Sequence, residues 1–130
     1  AGRSAAPEAA PDEQAERYLH DGVELYKQGD VDGAIALLQR GVGIDPLAYR
    51  LRYHLALLYG KQNRLYEAIA ELERAVDLNA GYFPGLKNLA ILYEKAGFRH
   101  KAVEAWERCL EHAPDDGTRD GIKAHLLSLL

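Results

Sequence analysis

The sequence predicts an all-α solenoid of three helical hairpins closed by a final helix, and three observations carry that prediction. First, Ala15–Ala48, Tyr49–Tyr82 and Phe83–Asp116 superpose at a constant offset of 34 residues. A period of this length marks one supersecondary unit copied in tandem, each copy unable to bury its apolar face alone. Second, small residues fall in register: Gly22, Ala56 and Ala90 in the first half of each unit, Ala34, Ala68 and Ala102 in the second. Such side chains let two helices cross at close range, so each unit reads as a packed pair. Third, Gly29, Asn63 and Gly97 share one register between the halves. These residue types tolerate the left-handed conformation that ends a helix, and they mark each hairpin's inner turn.

In chain order, Ala1–Pro11 is rich in Ala, Pro and Gly without apolar periodicity. It is expected to be a flexible linker or a remnant added for expression, in keeping with a sequence that is part of a longer protein. The folded domain is expected over 12–130, with units 15–48, 49–82 and 83–116 and a closing helix over 117–130. Leu19, Gly22, Val23, Leu25 and Tyr26 form a small-and-apolar stripe at helical spacing. Asp30 follows the inner turn as a candidate cap, and Ala34, Ile35, Leu37 and Leu38 make the opposing face. Leu55, Ala56, Leu58 and Tyr59 face Ala68, Ile69, Leu72 and Ala75 in the second unit. The third sets Leu86, Leu89, Ala90, Leu92 and Tyr93 against Ala102, Val103, Trp106 and Leu110. Pro84 falls in the first turn of its helix, where the missing N–H costs nothing. After Pro114, Asp115 and Asp116 offer a cap, and Ile122, Leu126 and Leu129 continue a stripe that Leu127 and Leu130 widen. Gly121 costs that helix about 1 kcal/mol relative to Ala, so it is expected to be the least stable.

The registered residues resemble the tetratricopeptide repeat. Its signature is an aromatic, two residues, Leu-Gly, two residues, Tyr, then Ala, three residues, Phe, then Pro. The third unit reads Leu86, Leu89-Ala90, Tyr93, Ala102, Trp106, Pro114. The second reads Arg52, Leu55-Ala56, Tyr59, Ala68, Leu72, Ala80, and the first Tyr18, Asp21-Gly22, Leu25, Ala34, Leu38, Pro46. Arg52, Asp21 and Ala80 are the departures. The resemblance implies a right-handed superhelical solenoid of three helix-turn-helix repeats with a C-terminal capping helix. It also implies a role in holding another protein.

In that family the first helices of successive units line a concave groove. Carried over by register, the resemblance implies groove positions Leu19, His20, Val23, Tyr26 and Lys27 in the first unit. It implies Arg50, Tyr53, His54, Leu57 and Lys61 in the second, and Lys87, Asn88, Ile91, Glu94 and Lys95 in the third. An apolar ladder flanked by cations would suit an extended or helical peptide with apolar anchors and some acidic character. Tyr53 is the expected hot spot, a rigid amphipathic ring that gains contact area at low entropic cost. Family members that clamp acidic chaperone tails use Lys, Asn and Arg where this chain has Leu19, Val23, His54, Pro84 and Asn88. That clamp is therefore not expected.

Composition narrows the rest. An apolar share of 48% in 130 residues supports a packed core, and a net charge of −4 without a basic block argues against a nucleic-acid partner. No apolar run approaches the roughly 20 residues that span a bilayer, so direct membrane insertion is not expected. Cys109 is the only cysteine; its register with Gly41 and Ala75 reads as a packed structural thiol. The histidines are scattered, and no Gly-rich phosphate loop, nucleophile motif or metal-spaced Cys/His set occurs. No catalytic residue, metal site or cofactor is expected. Glu67, Glu71, Glu73, Glu104, Glu107 and Glu111 recur at helical spacing and read as solvated outer faces.

The expected function is a non-enzymatic protein–protein interaction module that binds a peptide segment, within a larger scaffold or adaptor. One alternative is a self-assembly platform, forming a homo-oligomer through the leucine-rich last helix. Another is the regulatory arm of an enzyme lying outside this sequence.

Overall fold

A computed structural model describes residues 10–130. Its elements are α1 (Pro11–Lys27), α2 (Val31–Ile44), α3 (Tyr49–Lys61), α4 (Leu65–Leu78), α5 (Phe83–Ala96), α6 (Arg99–His112) and α7 (Asp116–Leu129). The described residues hold no strand. Within each unit the two helices pack antiparallel, α1 on α2, α3 on α4 and α5 on α6. The units join through α2 on α3 and α4 on α5, and α7 covers α6. Helix α1 also lies beside α3, so the first helices form one layer and the second helices another. Of the leader, residues 1–9 lie outside the described residues. Pro11, assigned to the linker from sequence, instead opens α1, where a proline's fixed φ suits the first turn.

The inner turns share one hydrogen-bond scheme. Gly29, Asn63 and Gly97 all have positive φ, at 87°, 60° and 82°. Beyond them the N–H groups of Asp30, Arg64 and Phe98 donate to the carbonyls of Leu25, Tyr59 and Tyr93, at 2.8–2.9 Å. This is the closure that satisfies the last carbonyls of a helix, and Asn63 supports it without being glycine. Asp30 then caps α2 by accepting from Gly33 N at 2.8 Å, a contact worth about 1 kcal/mol. Asp115 caps α7 through Thr118 N at 2.7 Å. That backbone hydrogen bond holds its carboxyl below the ordinary value.

At the crossings, Ala34, Ala68 and Ala102 are fully buried. Gly41, Ala75 and Cys109 occupy a second small-residue register, all buried. A Cβ on Gly41 would stand 2.8 Å from Tyr18 Cβ and 2.9 Å from Leu51 Cδ1, so α2 reaches both α1 and α3 only because this position is bare. Burial pushes the Cys109 thiol up to about 11, leaving little thiolate at neutral pH.

Two carboxylates read as solvated do structural work between and within units. Gln39 Nε2 donates to Tyr59 Oη at 2.8 Å, and one unit later Tyr93 Oη donates to Glu73. The two pairs are the same contact 34 residues apart, tying the second helix of one unit to the first helix of the next. Burial pushes the Tyr93 phenol well above its ordinary value, and the hydrogen bond to Glu73 adds to this. Glu71 instead accepts from Arg52 Nη1 at 3.3 Å, while Arg52 Nε donates to Pro46 O at 3.2 Å. Arg52 thus replaces the expected aromatic with a largely buried side chain anchored at two points.

Candidate functional site

Helices α1, α3 and α5 line a trough made of three cavities that share walls. The first, about 190 Å³, is bounded by Gly22, Val23, Tyr26, Leu38, His54, Leu57, Leu58 and Lys61. Gly22 opens it toward α2, since a Cβ there would stand 2.8 Å from Leu38 Cδ2. A second cavity, about 280 Å³, lies between α3 and α5 and takes Leu57 and Lys61 again, with Asn88, Ile91 and Lys95. The third, about 360 Å³, continues past Ile91 and Lys95 to Glu94, Trp106 and His125. Of the residues expected from register, Val23, Tyr26, His54, Leu57, Lys61, Asn88, Ile91, Glu94 and Lys95 line these cavities.

The others are placed differently. Leu19 is 6% exposed and belongs to the core cluster. It leaves the groove set, because a branched aliphatic at this register is short enough to turn inward where Tyr53 and Lys87 extend out. Arg50 is not a free cation: its Nη1 donates to Glu16 Oε1 at 2.6 Å, pairing equivalent positions of α1 and α3. That pair borders a separate recess with Tyr49 and Leu47. Lys27 lies 3.4 Å from Glu24 and His20 lies 3.2 Å from Asp21, all at the surface. Lys87 is exposed on α5 outside the three cavities.

Tyr53 is half-buried and held on three sides. Its ring meets Tyr82 edge-on at 5.2 Å and His54 at 5.2 Å, and its hydroxyl accepts from Asn88 Nδ2 at 3.2 Å. Asn88 Nδ2 also donates to Pro84 O at 2.9 Å, which fixes the amide across the gap between α3 and α5. Burial raises the Tyr53 phenol, with the Asn88 hydrogen bond opposing. Burial also lowers His54; the Arg50 charge adds to that, and Glu16 opposes it. His54 therefore presents a neutral imidazole to the first cavity at neutral pH.

At the far end, Glu94 receives Trp106 Nε1 at 2.6 Å, and His125 Nε2 lies 2.7 Å away. The indole and imidazole rings stack edge-on at 5.0 Å. Burial raises the Glu94 carboxyl, but the contacts with His125 and Trp106 together outweigh it and leave the group below its ordinary value. Helix α7 so closes the trough through a half-buried polar contact that sequence reading missed. Among the described residues no group of three His, Cys, Asp or Glu is placed to hold a metal ion, and no described helix is long and apolar enough to cross a membrane.

The tetratricopeptide-repeat family model matches residues 22–83. No curated protein sequence matches the chain significantly. Solved structures do. The second such domain of human RPAP3, in complex with the HSP70 peptide SGPTIEEVD, aligns at 21% identity and TM-score 0.78, over 91% of this chain and 98% of that one. The N-terminal domain of stress-induced protein-1 from C. elegans aligns at 19% and 0.79, over 92% and 99%. The Yersinia enterocolitica type III secretion translocator chaperone SycD aligns at 13% and 0.81, over 94% and 86%.

Proposed function

This chain is a right-handed solenoid of three tetratricopeptide repeats with a capping helix, and from that premise we propose that its trough binds a peptide segment of a partner protein. The observation that carries the reading is the run of three wall-sharing cavities along α1, α3 and α5, the first and third predominantly apolar, the second mixed, and bordered by Lys61 and Lys95. A peptide with apolar anchors and acidic character satisfies both features. The RPAP3 domain shows the fold accommodating a peptide. Its acidic tail, however, is not a guide to this partner. Leu19 is in the core, Val23 and His54 line a cavity, and Asn88 is committed to Tyr53 and Pro84, so these positions offer no cation to a terminal carboxylate. On this reading the chain is the binding part of a larger scaffold or adaptor.

Random peptides displayed on phage and selected on the protein supply ligands for the test. Tyr53→Ala and Leu57→Ser are expected to weaken a selected peptide about tenfold or more, the scale of a hot-spot truncation, with helicity unchanged by circular dichroism. Parent-like binding by both variants would place the ligand elsewhere.

A second reading, self-assembly through α7, is favoured by Leu127 and Leu130, which stand 73% and 82% exposed. It predicts a mass by light scattering that rises with concentration and returns to that of one chain in Leu127→Asp/Leu130→Asp. A single-chain mass at every concentration removes it.

A further inference from the structure

Val23, Leu57 and Ile91 lie 34 residues apart, one on each first helix, and Lys27, Lys61 and Lys95 repeat that spacing four residues further on. Positions four apart on a helix share a face one turn above one another. The trough thus carries two parallel ladders, one aliphatic and one cationic. The cavities sit on them: Val23, Leu57 and Lys61 border the first, Leu57, Lys61, Ile91 and Lys95 the second, Ile91 and Lys95 the third. Lys27 is engaged by Glu24, whereas Lys61 and Lys95 have no ion-pair or hydrogen-bond partner among the described residues. In a chain of net charge −4, two unneutralised ammonium groups beside apolar cavities call for carboxylates on the ligand.

We propose that the trough reads a triplet pattern: an acidic segment of another protein, in the polyproline II conformation, with an aliphatic residue followed by Asp or Glu at every third position. The inference rests on the peptide-binding reading and adds its register. Helix α1 lies beside α3, and Asn88 Nδ2 on α5 reaches Tyr53 Oη on α3 at 3.2 Å, so successive first helices are neighbours, and neighbouring helices stand roughly 10 Å apart. Polyproline II has three residues per turn at ~3.1 Å each, so every third side chain returns to the same side after about 9.3 Å. One ligand turn then matches one protein unit, the aliphatic residue entering a cavity and the next side chain turning toward the lysine ladder. A β-strand sends alternate side chains to opposite faces, so a third-residue pattern would leave the ladder at each rung. An α-helix is about 10–12 Å wide, whereas the two ladders are separated by one helix turn of ~5.4 Å.

The test uses (Leu-Glu-Pro)3-amide with fluorescein on its N-terminal amine, whose prolines favour this conformation, with the full chain and anisotropy at low salt. Replacing Glu by Gln in the probe is expected to weaken binding about tenfold, as is respacing to (Leu-Glu-Gly-Pro)3. The Lys61→Glu/Lys95→Glu protein should lose the Glu probe and take (Leu-Lys-Pro)3 instead, a swap that unfolding would not produce. Equal binding of the three- and four-residue spacings overturns the register, as does no binding of the Glu triplet. If displayed peptides bind through Tyr53 and Leu57 without a third-residue pattern, the register falls and the peptide-binding reading stands. If no displayed peptide binds, both fall.

Discussion

Trp106→Ala is expected to destabilise the protein by about 3–5 kcal/mol, the range for truncating a buried aromatic, and to loosen α7 before the rest unfolds. Trp106 is 6% exposed, yet packing is only part of its role. Its Nε1 donates to Glu94 and its ring stacks on His125, so it links α5, α6 and α7 at one point. Beyond that point α7 docks through Ile122, its one buried residue, and the half-buried Leu126 and Leu129. Without the indole, Glu94 loses one of the two contacts that hold its carboxyl low. The sign follows from that direction. A depressed carboxyl stabilises the fold above its ordinary value of about 4.5, and that stability is lost as pH falls through the lowered value. The variant should therefore show a shallower loss of stability on acidification than the parent. Urea titrations followed by circular dichroism across pH 3–7, with hydrogen exchange of the α7 amides, would check both parts. A change below about 1 kcal/mol, or unaltered protection of α7, would refute the assignment. Trp106→Phe, which keeps most of the packing and loses the N–H, should cost about 1.5–3 kcal/mol, as for a hydrogen bond to a charged group.

The fold was legible because the register exposes positions where only backbone geometry matters. Gly29, Asn63 and Gly97 have in common a conformation, and Ala34, Ala68 and Ala102 a lack of room; both demands survive change elsewhere. The trough was partly legible for the same reason. Register fixes where a side chain starts but not where it ends, which is why Leu19 could not be separated from Tyr53 and Lys87. Neutralisation of Arg50 was visible in principle, since Glu16 sits at the same register one unit earlier with opposite charge. So was the contact of Gln39 with Tyr59 and of Tyr93 with Glu73, hidden because a glutamate at helical spacing looks solvated. His125 gave no signal: α7 follows no repeat, and its meeting with Glu94 and Trp106 is a fact of docking alone.

Leu72→Ala is expected to cost about 2–5 kcal/mol, as for a leucine truncation that leaves a cavity, and to leave unfolding a single transition. Leu72 is 0% exposed at the centre of the middle unit, in register with Leu38 and Trp106. In a repeat array each unit touches only its neighbours, so stability is a sum of unit and interface contributions. The middle unit is the one on which both interfaces depend, α2 on α3 and α4 on α5. Weakening it uncouples nothing from the edge inward; it lowers the whole array together. Leu38→Ala removes the same atoms from the first unit, which has one interface, so α1 and α2 can fray while the remainder holds. Trp106, the only tryptophan, reports from the third unit, whereas circular dichroism reports from every helix. For Leu72→Ala the two signals should coincide along a urea titration. For Leu38→Ala the circular dichroism should begin to fall before the fluorescence changes. Separated transitions in Leu72→Ala would show that the third unit holds itself together without the second. The trough between α3 and α5 would then hinge at that junction, not form one continuous surface.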